Sequence, residues 1–337
     1  MTNMQDTHIS LAHGNGGRFM RELIDELFAK YLSNPFLDTK TDAATLGKHD
    51  GSLLMTTDGF TVQPLEFPGG NIGSLAIHGT VNDLAVSGAI PQYLSLNAFI
   101  EEGLEIELLE RLIRSLAEAA TEAGVHVVTG DTKVLRRGEG GGLYLATTGV
   151  GTRAVKNALN MEQIQSGDKI LVSGPVGDHG TAIMLAREQF GMRGDLQSDS
   201  ACVLPLTRLL YDKEGLRFMR DPTRGGLASV MQEIHRGTGM GVRLFEGQVP
   251  VQDPVTSVCE MLGYDPLYLA CEGRVVAIVS EDQAEEALSA WQSIDQGAEA
   301  AIIGHISTEE QHVVLETSLG GERMLEELED DPLPRIC

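Results

Sequence analysis

The sequence predicts two α/β domains, and three observations carry that prediction. Strand-like and helix-like segments alternate through two successive stretches that part near residues 153–167. A chain of 337 residues is long enough to close two cores of ordinary size. Its 39 glycines and its low aromatic share of 5% suit a backbone with many tight approaches. The expected segments are a Gly-rich lead and helix over 1–35, a first domain over 36–155, a second over 156–330 and a tail over 331–337.

The first stretch opens with Leu11 to Arg18 (LAHGNGGR), three glycines before a helix that presents Phe19, Leu23, Leu27 and Tyr31 on one face. The glycines read either as an anion-binding loop or as a flexible lead-in. The helix stops near Ser33-Asn34-Pro35. Ser52 to Thr57 reads as a buried strand ending at Asp58-Gly59, and Pro64, Pro68, Gly69 and Gly70 mark a loop. Asn71 starts a helix to Ala85 that buries Leu75, Ile77, Val81 and Leu84 and carries the polar pair Asn82-Asp83. A strand over Tyr93 to Phe99 precedes an amphipathic helix, Leu104 to Ala123, stopped by Gly124. Val125 to Val128 is a strand running into Thr129-Gly130-Asp131-Thr132-Lys133, and Leu143 to Val150 is another.

The second stretch repeats the alternation. KILVSG near Asp168 forms a strand, and Gly174, Gly177 and Gly180 precede a helix over Thr181 to Phe190, without the full phosphate-loop pattern. Residues 191–200 read as an exposed connection. Met219 to Gly226 (MRDPTRGG) leads into a helix through Ala228, Val230, Met231 and Ile234 to Gly237. Val242 to Phe245 and Gly273 to Val279 are strands, Gln283 to Ser293 a helix, and Ala301 to Ile306 and Val313 to Glu316 the closing strands.

Charge narrows the function. With 49 acidic against 25 basic residues the formal charge is -24, which removes nucleic acid and anionic membrane from the expected partners. A phosphate ligand must then be held locally, by helix N-termini or through a divalent cation on carboxylates, so Mg2+ is the expected ion. Cys202, Cys259, Cys271 and Cys337 show neither zinc spacing nor a disulfide framework, and no apolar run approaches the roughly 20 residues of a membrane span. A reduced, cytoplasmic setting is the expectation. Cys202, Cys259 and Cys271 read as small packing residues. His13 and His179 lie beside glycines as lesser candidates for phosphate contact.

The tail, Pro332-Leu333-Pro334-Arg335-Ile336-Cys337, reads as an extended tether, because proline cannot continue a helix and biases its neighbours toward extended backbone. Asp331 to Cys337 spans roughly 25 Å at about 3.5 Å per residue. Acids recur at expected strand ends and helix starts: Asp42, Asp58, Asp83, Asp131 and Asp221, each before small or turn-forming residues. Any one alone is ordinarily a solvated cap. Together they suit magnesium and a triphosphate, since carboxylates converging on one cleft repel unless cations offset them.

The strings TTDGF, NDLAVSGA, TGDTKV and DPTRGGL, in this order, resemble the PurM-like ATP-dependent superfamily of aminoimidazole ribonucleotide synthetase, selenophosphate synthetase and thiamine monophosphate kinase. FPGGNIG, NDLAVSGAIPQYL and the terminal PLPRIC are similar to the HypE family of [NiFe]-hydrogenase maturation. The resemblance implies an N-terminal ATP-binding domain that dimerises through its sheet, giving a homodimer, and a C-terminal α/β domain. It implies magnesium or nucleotide contacts at Asp42, Asp58, Asn82, Asp83, Asp131, Asp221 and Arg224, with Lys133 and Glu272 as candidates for base and positioning. A buried Lys could be tuned toward neutrality, whereas an ordinary ion pair is the plainer reading of both residues. The sequence departs from the family in having Thr41-Asp42 where two adjacent acids are common, and Cys271 and Arg274 where Asn and Lys are usual.

The implied activity is ATP-dependent dehydration of a carbamoyl group on Cys337 to a thiocyanate, the source of cyanide for the hydrogenase iron. HypF is the implied carbamoyl donor and a HypC-HypD complex the implied acceptor. Two alternatives stay open. A selenophosphate synthetase would carry a reactive Cys or selenocysteine in the N-terminal Gly-rich segment, yet the first cysteine here is Cys202. A nucleotide-sensing scaffold would dock the tail without chemistry.

Overall fold

The structure is a computed structural model that describes residues 6–14, 18–37, 44, 46–47, 50–156, 158–187, 195–328 and 336–337. Asp42, Gly16 and Gly17 of the Gly-rich lead, and residues 329–335 with both tail prolines lie outside the described residues. The chain forms two compact units. One comprises Met1–Leu84, Ile90–Arg153 and Arg335–Cys337, the other Ala85–Ala89 and Ala154–Pro334.

In the first unit, α1 (Arg18–Leu23) continues as a π-helical stretch over Ile24–Ala29. The wider turn rotates the face that follows it, so Phe28 and Leu32 join Leu23 and Leu27 in the core in place of the expected Tyr31, and Phe19, at the start of α1 and expected in the core, is exposed. Asn34 ends the helix, its side-chain oxygen accepting the Phe36 N–H at 3.0 Å and the Leu37 N–H at 3.2 Å. Strand β1 (Leu53–Phe60) runs straight through Asp58. A hairpin of β2 (Glu66–Phe67) and β3 (Gly70–Asn71) leads to α2 (Ile72–Val86), capped by Asn71, which accepts from Gly73 N–H at 2.8 Å. β4 (Ala89–Glu101), α3 (Ile106–Glu122), β5 (His126–Leu135) and β6 (Leu143–Arg153) complete the unit.

The strands form a sheet in the order β1-β6-β4-β5. Helix α2 is apolar around its circumference because it is buried on both sides. Toward the sheet, Thr147 Oγ1 donates to the Ala76 carbonyl at 3.3 Å. Toward α3, Gly73 packs so closely that a Cβ there would stand 2.1 Å from the Leu112 carbonyl oxygen. Among the described residues the other sheet face is uncovered, with alternate positions of β1, β4 and β5 partly or fully exposed. On β1 the expected buried strand instead alternates, with Leu53 and Met55 exposed, Met55 at 73%. Phe99 of β4 is also exposed.

The second unit carries β7 (Lys169–Val172), α4 (Asp178–Ala186), α5 (Leu204–Arg208), β8 (Leu216–Arg220), α6 (Gly226–Thr238) and β9 (Gly241–Phe245). There follow α7 (Asp253–Leu262), β10 (Val276–Val279), α8 (Ala284–Gln292), β11 (Ala301–Ser307), β12 (Val313–Glu316) and β13 (Glu322–Met324). The sheet order is β13-β12-β9-β11-β7-β10-β8. β12 pairs parallel with β9, and Leu227, Met231 and Ile234 of α6 join Val172, Leu244 and Ile278 in the core.

Three sequence readings change here. Met219 and Arg220 belong to β8 rather than to a loop. The strand expected from Gly273 starts at Val276, because the Glu272 and Gly273 N–H groups bond to the Asp199 carboxylate instead of a neighbouring strand. Asp199 itself, placed by sequence in an exposed connection, has a fully buried carboxylate. Helix α7 was not read from the sequence at all, although Pro254 in its first turn and Gly263 at φ 74° behind its last residue are start and stop signals.

Candidate functional site

The first unit contributes two clusters of candidate residues at opposite edges of its sheet. At the β1 edge, Asp58 pairs across the ladder with buried Thr147. It lies beside Gly79 of α2, where an added Cβ would be in ordinary contact with Asp58 Oδ2 at 3.7 Å and would collide with the Phe60 ring at 2.8 Å. Asp83, one turn further along α2, accepts from Thr56 Oγ1 at 2.7 Å, and Asn82 beside it is buried. Thus β1 and α2 together present Asp58, Asn82 and Asp83. His78, one turn before Asn82, is pushed down to about 4 by burial, so it adds no positive charge near neutrality.

At the β5 edge, Asp131 and Lys133 form an ion pair at 2.8 Å. The Lys133 hydrogen bond first, then the Thr132 N–H, hold the Asp131 carboxyl below the usual range. The structure corrects the expectation of a buried lysine, because the Lys133 side chain is 60% exposed. The edges of a four-stranded sheet stand three strand spacings apart, about 14 Å. Asp58 and Asp131 of one chain therefore do not share a cation, and among the described residues no three His, Cys, Asp or Glu converge as ligands. The expected single cluster of five acids is thereby divided: Asp221 belongs to the second unit, and Asp42 lies outside the described residues. Close by β5, a pocket of about 110 Å³ has an apolar floor including Phe28, Leu96 and Val127 and opens onto Gly130 to Thr132.

The carboxyl end of the chain also lies in this unit. Cys337 accepts hydrogen bonds through its main-chain oxygen from Thr61 N–H at 2.9 Å and Thr61 Oγ1 at 3.2 Å. Thr61 follows β1 directly, three residues beyond Asp58.

In the second unit, two loops are tied together. The Cys271 N–H donates to the Pro222 carbonyl at 3.0 Å, joining the segment of Asp221 and Arg224 to that of Glu272. Gly226, at φ 60°, permits this contact, since a Cβ would stand 2.5 Å from the Leu269 carbonyl oxygen. Asp221 and Glu272 are both buried, Glu272 to 3% exposure. Asp199 clamps the Glu272 loop by accepting from Glu272 N–H at 3.2 Å and Gly273 N–H at 3.1 Å. Arg274 compensates the buried acids, lying 3.6 Å from Asp199 Oδ2 and 3.4 Å from Asp178 Oδ2 and donating to the Pro175 carbonyl at 3.0 Å. The clamp was not found from sequence, because Asp199 is 73 residues from Glu272 and no local pattern marks it.

The Gly174-Gly177-Gly180 segment serves this network. A Cβ at Gly174 would stand 2.7 Å from Arg274 Nη1, and Asp178 opens α4, so that helix start faces an acid and an arginine. His179 is buried with Nδ1 2.8 Å from Ser198 Oγ, and His13 is held by Ser10 N–H at 3.1 Å. Both histidines are thus committed within the fold. Cys259 and Cys271 are buried as expected.

Burial first, and the Asp199 charge second, push Asp178 from 3.8 up to about 6. The folded chain therefore holds this proton more tightly than the unfolded chain. Its stabilising effect is full below about pH 4 and lost as pH rises through about 6, a change of about 3 kcal/mol. Asp178→Asn should remove that dependence. Urea unfolding at pH 4 and pH 7 should show the variant gaining stability relative to wild type at the higher pH.

Residues 40–153 match the N-terminal domain, and residues 165–316 the C-terminal domain, of AIR synthase related proteins. The carbamoyl dehydratase HypE of Azotobacter vinelandii is 45% identical over 337 residues, 99% of each chain. A hydrogenase maturation protein HypE crystallised with ATP has a TM-score of 0.92 at 44% identity, over 97% of this chain and 99% of that one. A HypE-HypF complex matches with a TM-score of 0.80 at 41% identity, over 91% and 99%. Among the described residues no helix is long and apolar enough to cross a membrane.

Proposed function

The chain belongs to the AIR synthase related family and, within it, to the HypE carbamoyl dehydratases; from that premise we propose that it dehydrates a carbamoyl group carried on its own Cys337. The observation that carries this reading is the docking of Cys337 at Thr61, directly behind the strand that bears Asp58. In the reaction the thiocarboxamide oxygen takes the γ-phosphoryl group of ATP, releasing ADP. The C–O bond then breaks with phosphate as the leaving group, two N–H protons depart, and the carbon–nitrogen triple bond of the thiocyanate forms. An amide oxygen leaves poorly, and phosphorylation makes it a good leaving group.

The residues divide the work. Asp58, Asn82 and Asp83 lie where triphosphate oxygens would approach β1 and α2, and the apolar pocket beside Gly130 to Thr132 suits a flat base. Magnesium fits the donors, since Asp58 and Asp83 offer hard carboxylate oxygens and this ion is ordinarily held by one or two carboxylates plus substrate phosphates. Bound there, it supplies screening of phosphate charge. Asp42, Asp131, Asp221 and Arg224 are the further candidates for nucleotide or ion. Glu272, held by its clamped loop, accepts a proton from the carbamoyl nitrogen, with Lys133 as the second candidate.

The uncovered sheet face suits a second copy of the chain, and Met55, Leu53 and Phe99 provide its apolar contacts. Asp131 and Lys133 share that face and would lie at the interface. Met55→Glu should turn the dimer into monomer in sedimentation velocity, with the thermal midpoint of each unit retained. HypF is the proposed carbamoyl donor, a reading supported by the solved HypE-HypF complex. A HypC-HypD complex is the proposed cyanide acceptor. The four free thiols suit a reducing cytoplasm.

The test is direct. Cys337 is loaded with carbamoyl, ATP and magnesium are added, and the C-terminal peptide is weighed by mass spectrometry. Loss of one water with release of ADP and phosphate is expected. An unchanged peptide would sink the dehydratase reading and favour a nucleotide-sensing scaffold.

A further inference from the structure

We propose that Thr61 is a positioning residue for the carrier thiol, acting with Ile336 as a latch that seats the last two residues of the chain beside β1. The inference rests on the dehydratase reading for its chemical consequence, but the latch itself stands on contacts. Two donors of one residue, the Thr61 N–H at 2.9 Å and the Thr61 hydroxyl at 3.2 Å, converge on the main-chain oxygen of Cys337. The preceding side chain, Ile336, is only 4% exposed. Thr61, Ile336 and Cys337 all belong to the first unit.

These contacts grip Cys337 from both sides. Its carbonyl is fixed by Thr61, and its amide side is fixed by the buried Ile336. The Cα is thereby located. A carbamoyl group on Sγ would then sweep a short arc rather than the full reach of a tether. Restricting a tethered reactant in this way raises the fraction of time spent in the reactive geometry. Ile336 supplies apolar burial that a polar residue would not, and the threonine hydroxyl supplies the second hydrogen bond that valine would lack.

The experiment uses the full chain. The rate of Cys337 alkylation by iodoacetamide reports release of the tail, and single-turnover loss of water from the carbamoylated protein reports reactivity. Thr61→Val should speed alkylation and slow water loss by about ten- to hundredfold, the equilibrium factor of one hydrogen bond to a carboxylate. Thr61→Ser should restore both rates to wild type, which a steric role of the methyl group would not do. Ile336→Asp should shift both by about tenfold or more through loss of apolar burial. ATP affinity should remain unchanged in each variant.

Wild-type alkylation rates in both Thr61→Val and Ile336→Asp would overturn the latch. Faster alkylation with undiminished water loss would overturn its positioning role. Should Thr61→Val fail to fold, as read by its thermal midpoint, Ile336→Asp decides the question alone. Failure of the wild-type carbamoylated protein to lose water would defeat the dehydratase reading while the alkylation rates still judged the latch.

Discussion

Cys337→Ala is expected to abolish thiocyanate formation altogether, with ATP binding and thermal midpoint at wild-type values. The loss is complete because the substitution removes the sulfur that carries the reacting carbon. Two of the other thiols are unsuited to replace it. Cys259 is pushed up to about 11 by burial, and Cys271, wholly buried, is raised as well. The stability cost is small because Cys337 is only partly buried and its latch contact uses the main chain, which alanine keeps. Isothermal titration with a non-hydrolysable ATP analogue and a thermal melt check the two controls. A variant that still released thiocyanate would remove Cys337 from the chemistry, and one that failed to fold would make the chain end a structural element.

The second large effect is expected at Glu272. Glu272→Gln keeps the shape of the side chain and removes its capacity to accept a proton, so the single-turnover rate should fall by about 10²–10⁴-fold. Folding should be retained, because Asp199 holds the main chain of this loop through the Glu272 and Gly273 N–H groups, which glutamine keeps. A buried carboxylate replaced by an isosteric amide also sheds desolvation cost. A rate within a few fold of wild type would transfer the base role to Lys133. Its exposed ammonium, engaged by Asp131, would then have to lose that partner before acting.

Much of this was legible in the sequence. Periodicity placed α3 from its apolar face and its stop at Gly124, and it placed Leu75, Ile77, Val81 and Leu84 in the core of α2. Such patterns are local and repeat every 3.6 residues, so a window of fifteen residues contains them. The resemblance of TTDGF, NDLAVSGA, TGDTKV, DPTRGGL and PLPRIC to hydrogenase-maturation dehydratases agreed with family membership over nearly the whole chain. Other features escaped for stated reasons. β1 looked uniformly buried because Leu53, Leu54 and Met55 are all apolar, yet alternate residues of a strand face opposite sides, and Leu53 and Met55 lie on the side that the described residues leave exposed. The π-helical stretch after α1 brought Phe28 and Leu32 to the core where Tyr31 was expected, since its wider turn breaks the assumed period.

By itself, then, the sequence determined the two α/β units, the family and the residue types that could serve its chemistry. Only the tertiary structure decided which of them meet. It gathered Asp58 and Asp83 on β1 and α2, set Asp131 about 14 Å away across the sheet, clamped the Glu272 loop with Asp199 and seated Cys337 on Thr61. The reason is separation along the chain. Thr61 and Cys337 are 276 residues apart, and the hydrogen bond between them leaves no periodic trace in either neighbourhood. A contact of that kind is specified by the folding of everything between its partners.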